Sequence, residues 1–232
     1  MKFTKLSLVA ALAVSSAFAG GDIVPAEPVV VEAVPVSAFE VSANLAITSN
    51  YVWRGMTQTA NSPAVQGGID LGYNGFYLGT WGSNVEFGDT NNNLEADLYA
   101  GYKTSFSGVE IDLGYILYAY PNDHDALNFD EAYIGLGYDF GMVGINGKYS
   151  FAVNSNVDTT DYWEIGGDVE LPMEISLAAS YGDYDEVGTN YLVSLSKSWG
   201  KFEFLVAYTD FSSDADSLYD EDHFIGTLST SF

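Results

Sequence analysis

The sequence predicts an all-β fold: a transmembrane, antiparallel, up-and-down β-barrel of about twelve strands. Three observations carry this. Apolar and polar residues alternate with period two almost without a break from Phe39, tight turns alternate with longer acidic connections, and the chain stops on Phe232 at the end of an alternating segment.

In the first segment Val41, Ala43, Leu45, Ile47, Tyr51 and Trp53 share one face, while Ser42, Asn44, Thr48, Asn50 and Arg54 share the other. Leu94, Ala96, Leu98, Ala100 and Tyr102 then oppose Glu95, Asp97, Tyr99 and Lys103, and Val109, Ile111, Leu113, Tyr115 and Leu117 oppose Glu110 and Asp112. Ile134, Leu136 and Tyr138 oppose Glu131; Val143, Ile145 and Tyr149 oppose Lys148; Trp163, Ile165, Val169 and Leu171 oppose Glu164, Asp168 and Glu170. With the apolar face against hydrocarbon, the channel-lining candidates are Arg54, Glu95, Asp97, Lys103, Glu110, Asp112, Glu131, Lys148, Glu164, Asp168 and Glu170. Segments 63–73, 75–83, 174–182, 190–199 and 202–210 alternate less clearly. Tyr77 and Trp81 oppose Phe76 and Leu78, which leaves the lipid-facing side of 75–83 unassigned.

Short links fall at Asn74-Gly75, Ser107-Gly108, Gly141-Met142, Pro172-Met173 and Gly200-Lys201, and longer ones at about 55–62, 84–93, 121–130, 154–160, 182–189 and 211–222. A soluble sandwich has no reason to keep its tight turns on one side, whereas an outer-membrane barrel has short periplasmic turns and long extracellular loops. Tyr51, Trp53, Tyr73, Phe106, Trp163, Trp199 and Phe211 fall near segment ends, as interfacial aromatic girdles require.

Residues 1–19 have the form of a cleavable signal peptide: Lys2 and Lys5 begin it, Leu6 to Val14 form its apolar centre, and Ala17-Phe18-Ala19 places cleavage after Ala19. Residues 20–38, rich in Pro and Val, read as a periplasmic linker, because Pro25, Pro28 and Pro35 would each remove a donor from a ladder. Residues 39–232 form the barrel. Export to the bacterial outer membrane follows.

From Ser42 the chain reads SANLAITSNYVWRGMTQT, then PAVQGGIDLGY and GFYLGTWGSNV. This resembles the opening of the TorF-family putative porins of proteobacteria, above all at Asn50-Tyr51-Val52-Trp53-Arg54-Gly55 and Gln66-Gly67-Gly68. The resemblance implies a porin-like barrel and brings no catalytic residues. The ending, His223 to Phe232, resembles the assembly signal of outer-membrane proteins, with Phe232 as its final aromatic and Thr230 as a departure.

Charge excludes other classes. Lys+Arg number 7 against 32 Asp+Glu, for a net charge of −25, which opposes nucleic-acid binding. The absence of Cys rules out a disulfide framework or thiolate metal site. Acids cluster in the outer connections: Asp123 and Asp125; Asp158 and Asp161; Asp183, Asp185 and Glu186; Asp214, Asp216, Asp220, Glu221 and Asp222. Their spacing lacks the EF-hand pattern, so a solvated rim is expected, with no metal and no cofactor.

Acids also outnumber bases among the inward candidates, which predicts a porin-like channel for passive diffusion of small solutes with cations preferred. A charge-filled, closed lumen in a structural or adhesive barrel fits the same charges, since small barrels are filled by side chains. Lys103 falls across from Asp112 if Ser107-Gly108 is a two-residue turn. Arg54 reads as a constriction charge or as half of a structural ion pair. A hydrolase would need a base beside a nucleophile, and His124 and His223 sit in no such motif, so no enzymatic activity is expected. The partners implied are outer-membrane lipid and lipopolysaccharide, the barrel-assembly machinery, and small solutes or cations; no feature specifies an oligomeric state.

Overall fold

The computed structural model describes residues 39–88, 91–122, 127–155 and 159–232, so the signal-peptide and linker segments, His124, Asp123, Asp125 and Asp158 lie outside the described residues. Twelve long strands close into one antiparallel barrel, each paired with its sequence neighbour. They are β1 (Glu40–Thr48), β4 (Ala64–Tyr73), β5 (Phe76–Asn84), β6 (Leu94–Phe106), β7 (Val109–Ala119) and β8 (Phe129–Asp139), followed by β9 (Val143–Ser155), β10 (Tyr162–Leu171), β11 (Ile175–Tyr184), β12 (Gly188–Trp199), β13 (Phe202–Ser213) and β14 (Glu221–Ser231). A two-stranded ribbon, β2 (Val52–Trp53) with β3 (Met56–Thr57), belongs to the first long connection, residues 49–63, hereafter L1.

The seam lies between the first and last strands, with Asn44 opposite Ser231 and Thr48 opposite Thr227. Phe232 completes it: its amide donates to the Ala43 carbonyl at 2.9 Å and its carbonyl accepts from the Ala43 amide at 3.2 Å. Closure leaves no free edge, which is the condition for a sheet to stand in hydrocarbon.

The outer face is apolar. Val41, Leu45, Ile47, Val65, Leu98, Leu113, Leu136, Ile145, Ile165 and Val206 are all exposed, the reverse of a soluble protein, while acids at alternate positions turn inward. The unassigned segment resolves here: Phe76 and Leu78 are exposed on the outside, and Trp81 is buried inside.

Tight turns gather at one end and the longer connections at the other. Asn74-Gly75 makes a two-residue turn with both φ angles positive, 51° and 85°, the twist that joins right-handed strands directly. The Ser107-Gly108 turn sets Lys103 opposite Asp112, as the spacing predicts. Two sequence expectations need correction. The fifth outer connection spans only 185–187, because β11 and β12 keep pairing up to Tyr184 and Gly188. The first strand ends at Thr48 and does not run on to Arg54, because Thr48 Oγ1 donates to the Asn50 carbonyl at 3.0 Å and turns the chain inward.

Candidate functional site

L1 folds into the loop end of the lumen. Arg54 and Gly55 form its tip with φ of 49° and 80°, joining the Trp53 and Met56 pair as a two-residue hairpin. Behind the tip, Asn50 gathers the loop: its Oδ1 accepts from Thr57 Oγ1 at 2.7 Å, and its Nδ2 donates to Asn61 Oδ1 at 3.1 Å. The Gln58 amide donates to the Tyr51 carbonyl at 2.7 Å. The loop thus carries its own hydrogen bonds inward, as a polar backbone in a dry interior requires.

Arg54 is the anchor. Its Nη2 lies 2.7 and 2.8 Å from the two carboxylate oxygens of Glu131, and both side chains are at most 2% exposed. The guanidinium carbon lies 4.1 Å from the Trp53 ring centroid, 4.0 Å from that of Tyr162 and 4.6 Å from that of Tyr184. A buried cation is thereby matched by one carboxylate and three ring faces. The β8/β9 ladder bulges between Asp130 and Glu131, next to this anchor. Of the two sequence readings of Arg54, the structure forms the ion pair, and it does so from the loop.

Opposite, the lumen wall is apolar: Val52 packs with Leu192, Leu205, Ala207 and Ile225. Gly55 is held close to this side, where an added Cβ would come 2.8 Å from Phe211 Cβ and 2.9 Å from Asn190 Cβ. Gly55→Val is therefore expected to destabilise the protein by about 1–3 kcal/mol through overpacking and to expose L1 to protease; unchanged melting and digestion would contradict this placement. A further tie comes from Glu221, whose Oε2 accepts from the Thr57 amide at 2.8 Å and lies 2.8 Å from His223 Nε2.

Tyr51 leads the other flank. Its ring meets Trp81 edge-on at 5.5 Å, and its hydroxyl donates to Glu95 Oε1 at 2.9 Å. Burial pushes the Tyr51 and Tyr120 phenols up, so both remain protonated donors. Tyr51, Trp53 and Phe211 are thus interior residues and leave the aromatic girdle, whereas Tyr73, Phe106 and Trp199 are exposed outside. Trp163 keeps outward parity but is half-buried against Tyr181, 5.9 Å between centroids.

Beneath L1 the lumen is wetter. Lys103 and Asp112 are 3.7 Å apart and about one-third exposed, so removing this pair changes stability by at most about 1 kcal/mol. Tyr77 Oη donates to Asp112 Oδ1 at 2.8 Å and lies 2.6 Å from Tyr133 Oη. Both rings lie over Gly114, where no side chain would fit. Lys148 stands opposite Glu164, with its Nζ 5.6 Å from the Tyr133 centroid. Glu110 and Glu170 are half-buried, and Asp168 is buried.

Sequence reasoning missed Asp70, a buried lumen acid that accepts from Tyr99 Oη at 2.6 Å. Its signal was its place among Gln66 and Gly68, opposite in parity to Val65, Ile69 and Leu71. Glu221, and the L1 network around Asn50 and Thr57, were missed as well. In the outer loops, Asp161 accepts from the Ala152 amide at 3.0 Å and Asp220 from the Ser213 amide at 2.8 Å, so these acids serve as backbone acceptors.

Residues 32–226 match the model of a family described as a bacterial protein of unknown function, Gcw_chp. The chain belongs to the Gcw_chp family. No curated protein matches this Gcw_chp chain. Among solved structures it is similar to a KdgM porin, at 12% identity and a TM-score of 0.59, over 82% of this chain and 98% of that one. It is also similar to the outer membrane phospholipase A of Escherichia coli, at 12% identity and a TM-score of 0.51, over 81% and 88% of the two chains. The COG4313 outer membrane channel of Pseudomonas putida F1 matches at 13% identity and a TM-score of 0.50, over 88% and 98%. These likenesses show that the Gcw_chp barrel shares its fold with outer-membrane barrels.

Proposed function

We propose that this Gcw_chp protein is an outer-membrane, porin-like channel for passive diffusion of small solutes, with cations preferred and L1 setting its narrowest level. On this reading the protein is exported with cleavage after Ala19, the turn end faces the periplasm, and Phe232 engages the assembly machinery. The fold shared with a KdgM porin and the COG4313 channel supports it, as does the resemblance to TorF-family porins.

The observation that carries it is the charge left in the wetter half of the lumen. Glu131 is neutralised by Arg54, but Glu110, Asp112, Glu164, Asp168 and Glu170 turn inward against only Lys103 and Lys148 among the candidates. A narrow low-dielectric tube focuses that surplus into a field that attracts cations. Replacing Glu110, Asp168 and Glu170 by their amides is expected to bring the potassium-to-chloride permeability ratio close to one. An unchanged ratio would remove these residues from the permeation path.

A closed lumen in a structural or surface barrel is the second reading, favoured by the dense filling around L1, where Thr59 and Tyr162 are almost wholly buried. Single-channel recording with graded neutral polymers separates the two: the channel reading expects only the smallest polymers to lower conductance, and the closed reading expects no conductance steps. The likeness to a phospholipase, at 12% identity, is one of fold alone, and this reading takes no activity from it.

A further inference from the structure

Glu95 and Asp97 stand two positions apart on β6, both turned inward and each 1% exposed. Tyr51 donates to Glu95 Oε1 at 2.9 Å. Glu95 Oε2 and both oxygens of Asp97 are buried without a hydrogen bond, and the Ala119 amide faces Asp97 without reaching bonding geometry. Among the described residues, no basic side chain forms an ion pair with either acid. The walls are the rings of Tyr51, Trp81, Tyr99, Tyr118 and Tyr120, whose faces are themselves electronegative.

Two carboxylates in such a place lack their counter-charge, and burying them uncompensated is very costly. Positions i and i+2 of a strand are about 7 Å apart at Cα, so one ion can touch both side chains. The donors are all oxygens, and the pair carries two formal negative charges, which suits a hard divalent cation over a softer transition metal.

We propose that Glu95 and Asp97 bind a divalent cation of the Ca²⁺ class, which fastens Tyr51 of L1 to the β6 wall. The site needs only the inward turn of these carboxylates, so binding in micelles is independent of whether the lumen conducts.

The test uses the full chain refolded in detergent and freed of metal with a chelator. Tb³⁺ is titrated with excitation through Trp and Tyr, then displaced with Ca²⁺, and melting is followed with and without Ca²⁺. The rim is controlled by an Asp214→Asn/Asp216→Asn protein. The expected result is saturable sensitised emission displaced by Ca²⁺, with a melting point raised by several degrees, in wild type and rim variant alike. Asp97→Asn should weaken binding at least tenfold and abolish the melting shift. Emission that Ca²⁺ does not displace, emission lost in the rim variant, or undiminished binding by Asp97→Asn would each overturn the site. Should Asp97→Asn not refold, the wild-type and rim-variant titrations still decide: absence of saturable, displaceable binding in either rejects it.

Discussion

Replacing Glu131 by Gln is expected to release L1 from the lumen, lower stability by about 3–5 kcal/mol and raise single-channel conductance several-fold. The magnitude follows from the pair's burial: removing one partner leaves a cation uncompensated in a dry site, which costs far more than the intact pair contributes. Arg54 cannot shed its proton, and its Nη2 has its two short contacts with Glu131, at 2.7 and 2.8 Å. The three ring faces around it offset only part of that loss. L1 carries its anchor at the hairpin tip, so losing the anchor frees the tip first. Thermal unfolding, proteolysis within L1 and bilayer recording read the three consequences together. Arg54→Ala strands the Glu131 carboxylate in turn, and is expected to raise conductance with a comparable loss of stability. Conductance equal to wild type in both proteins would end the role of L1 as the narrowest level.

The second large effect is expected on the outside of the barrel. Leu113 lies near the middle of β7, opposite Ile134 of β8, and both are exposed. In hydrocarbon, Leu113→Arg should cost ~2–4 kcal/mol, as measured by denaturant titration of the protein folded into lipid vesicles. Lys103→Met, facing inward from a neighbouring strand, should change stability by at most about 1 kcal/mol. Equal effects from the two substitutions would mean that the apolar face does not meet lipid.

The barrel was legible because each strand between Leu94 and Leu171 carries charged residues on one face and aliphatics on the other, so parity alone assigns inside and outside. Lys103 opposite Asp112 came from turn chemistry. Where the sequence was weak, L1 is the cause. In β12 and β13, Leu192 and Leu205 face inward to pack Val52, so each strand carries aliphatics on both faces and the alternation blurs. Trp81 is inward for the same reason, against Tyr51. Asn50 to Arg54 continue the parity of β1 by coincidence, and period two cannot distinguish a strand from a chain that turns inward at Thr48. The pairing of Arg54 with Glu131, 77 residues along, is a tertiary fact with no local signal.

The most direct test is the reversal potential of wild-type single channels in a planar bilayer under a KCl gradient, with the Glu110/Asp168/Glu170 amide variant recorded alongside. The predicted result is discrete steps, with a potential of the sign set by potassium in wild type and close to zero in the variant. A potential of the sign set by chloride, or a refolded barrel that gives no steps even after Glu131→Gln, would contradict the account.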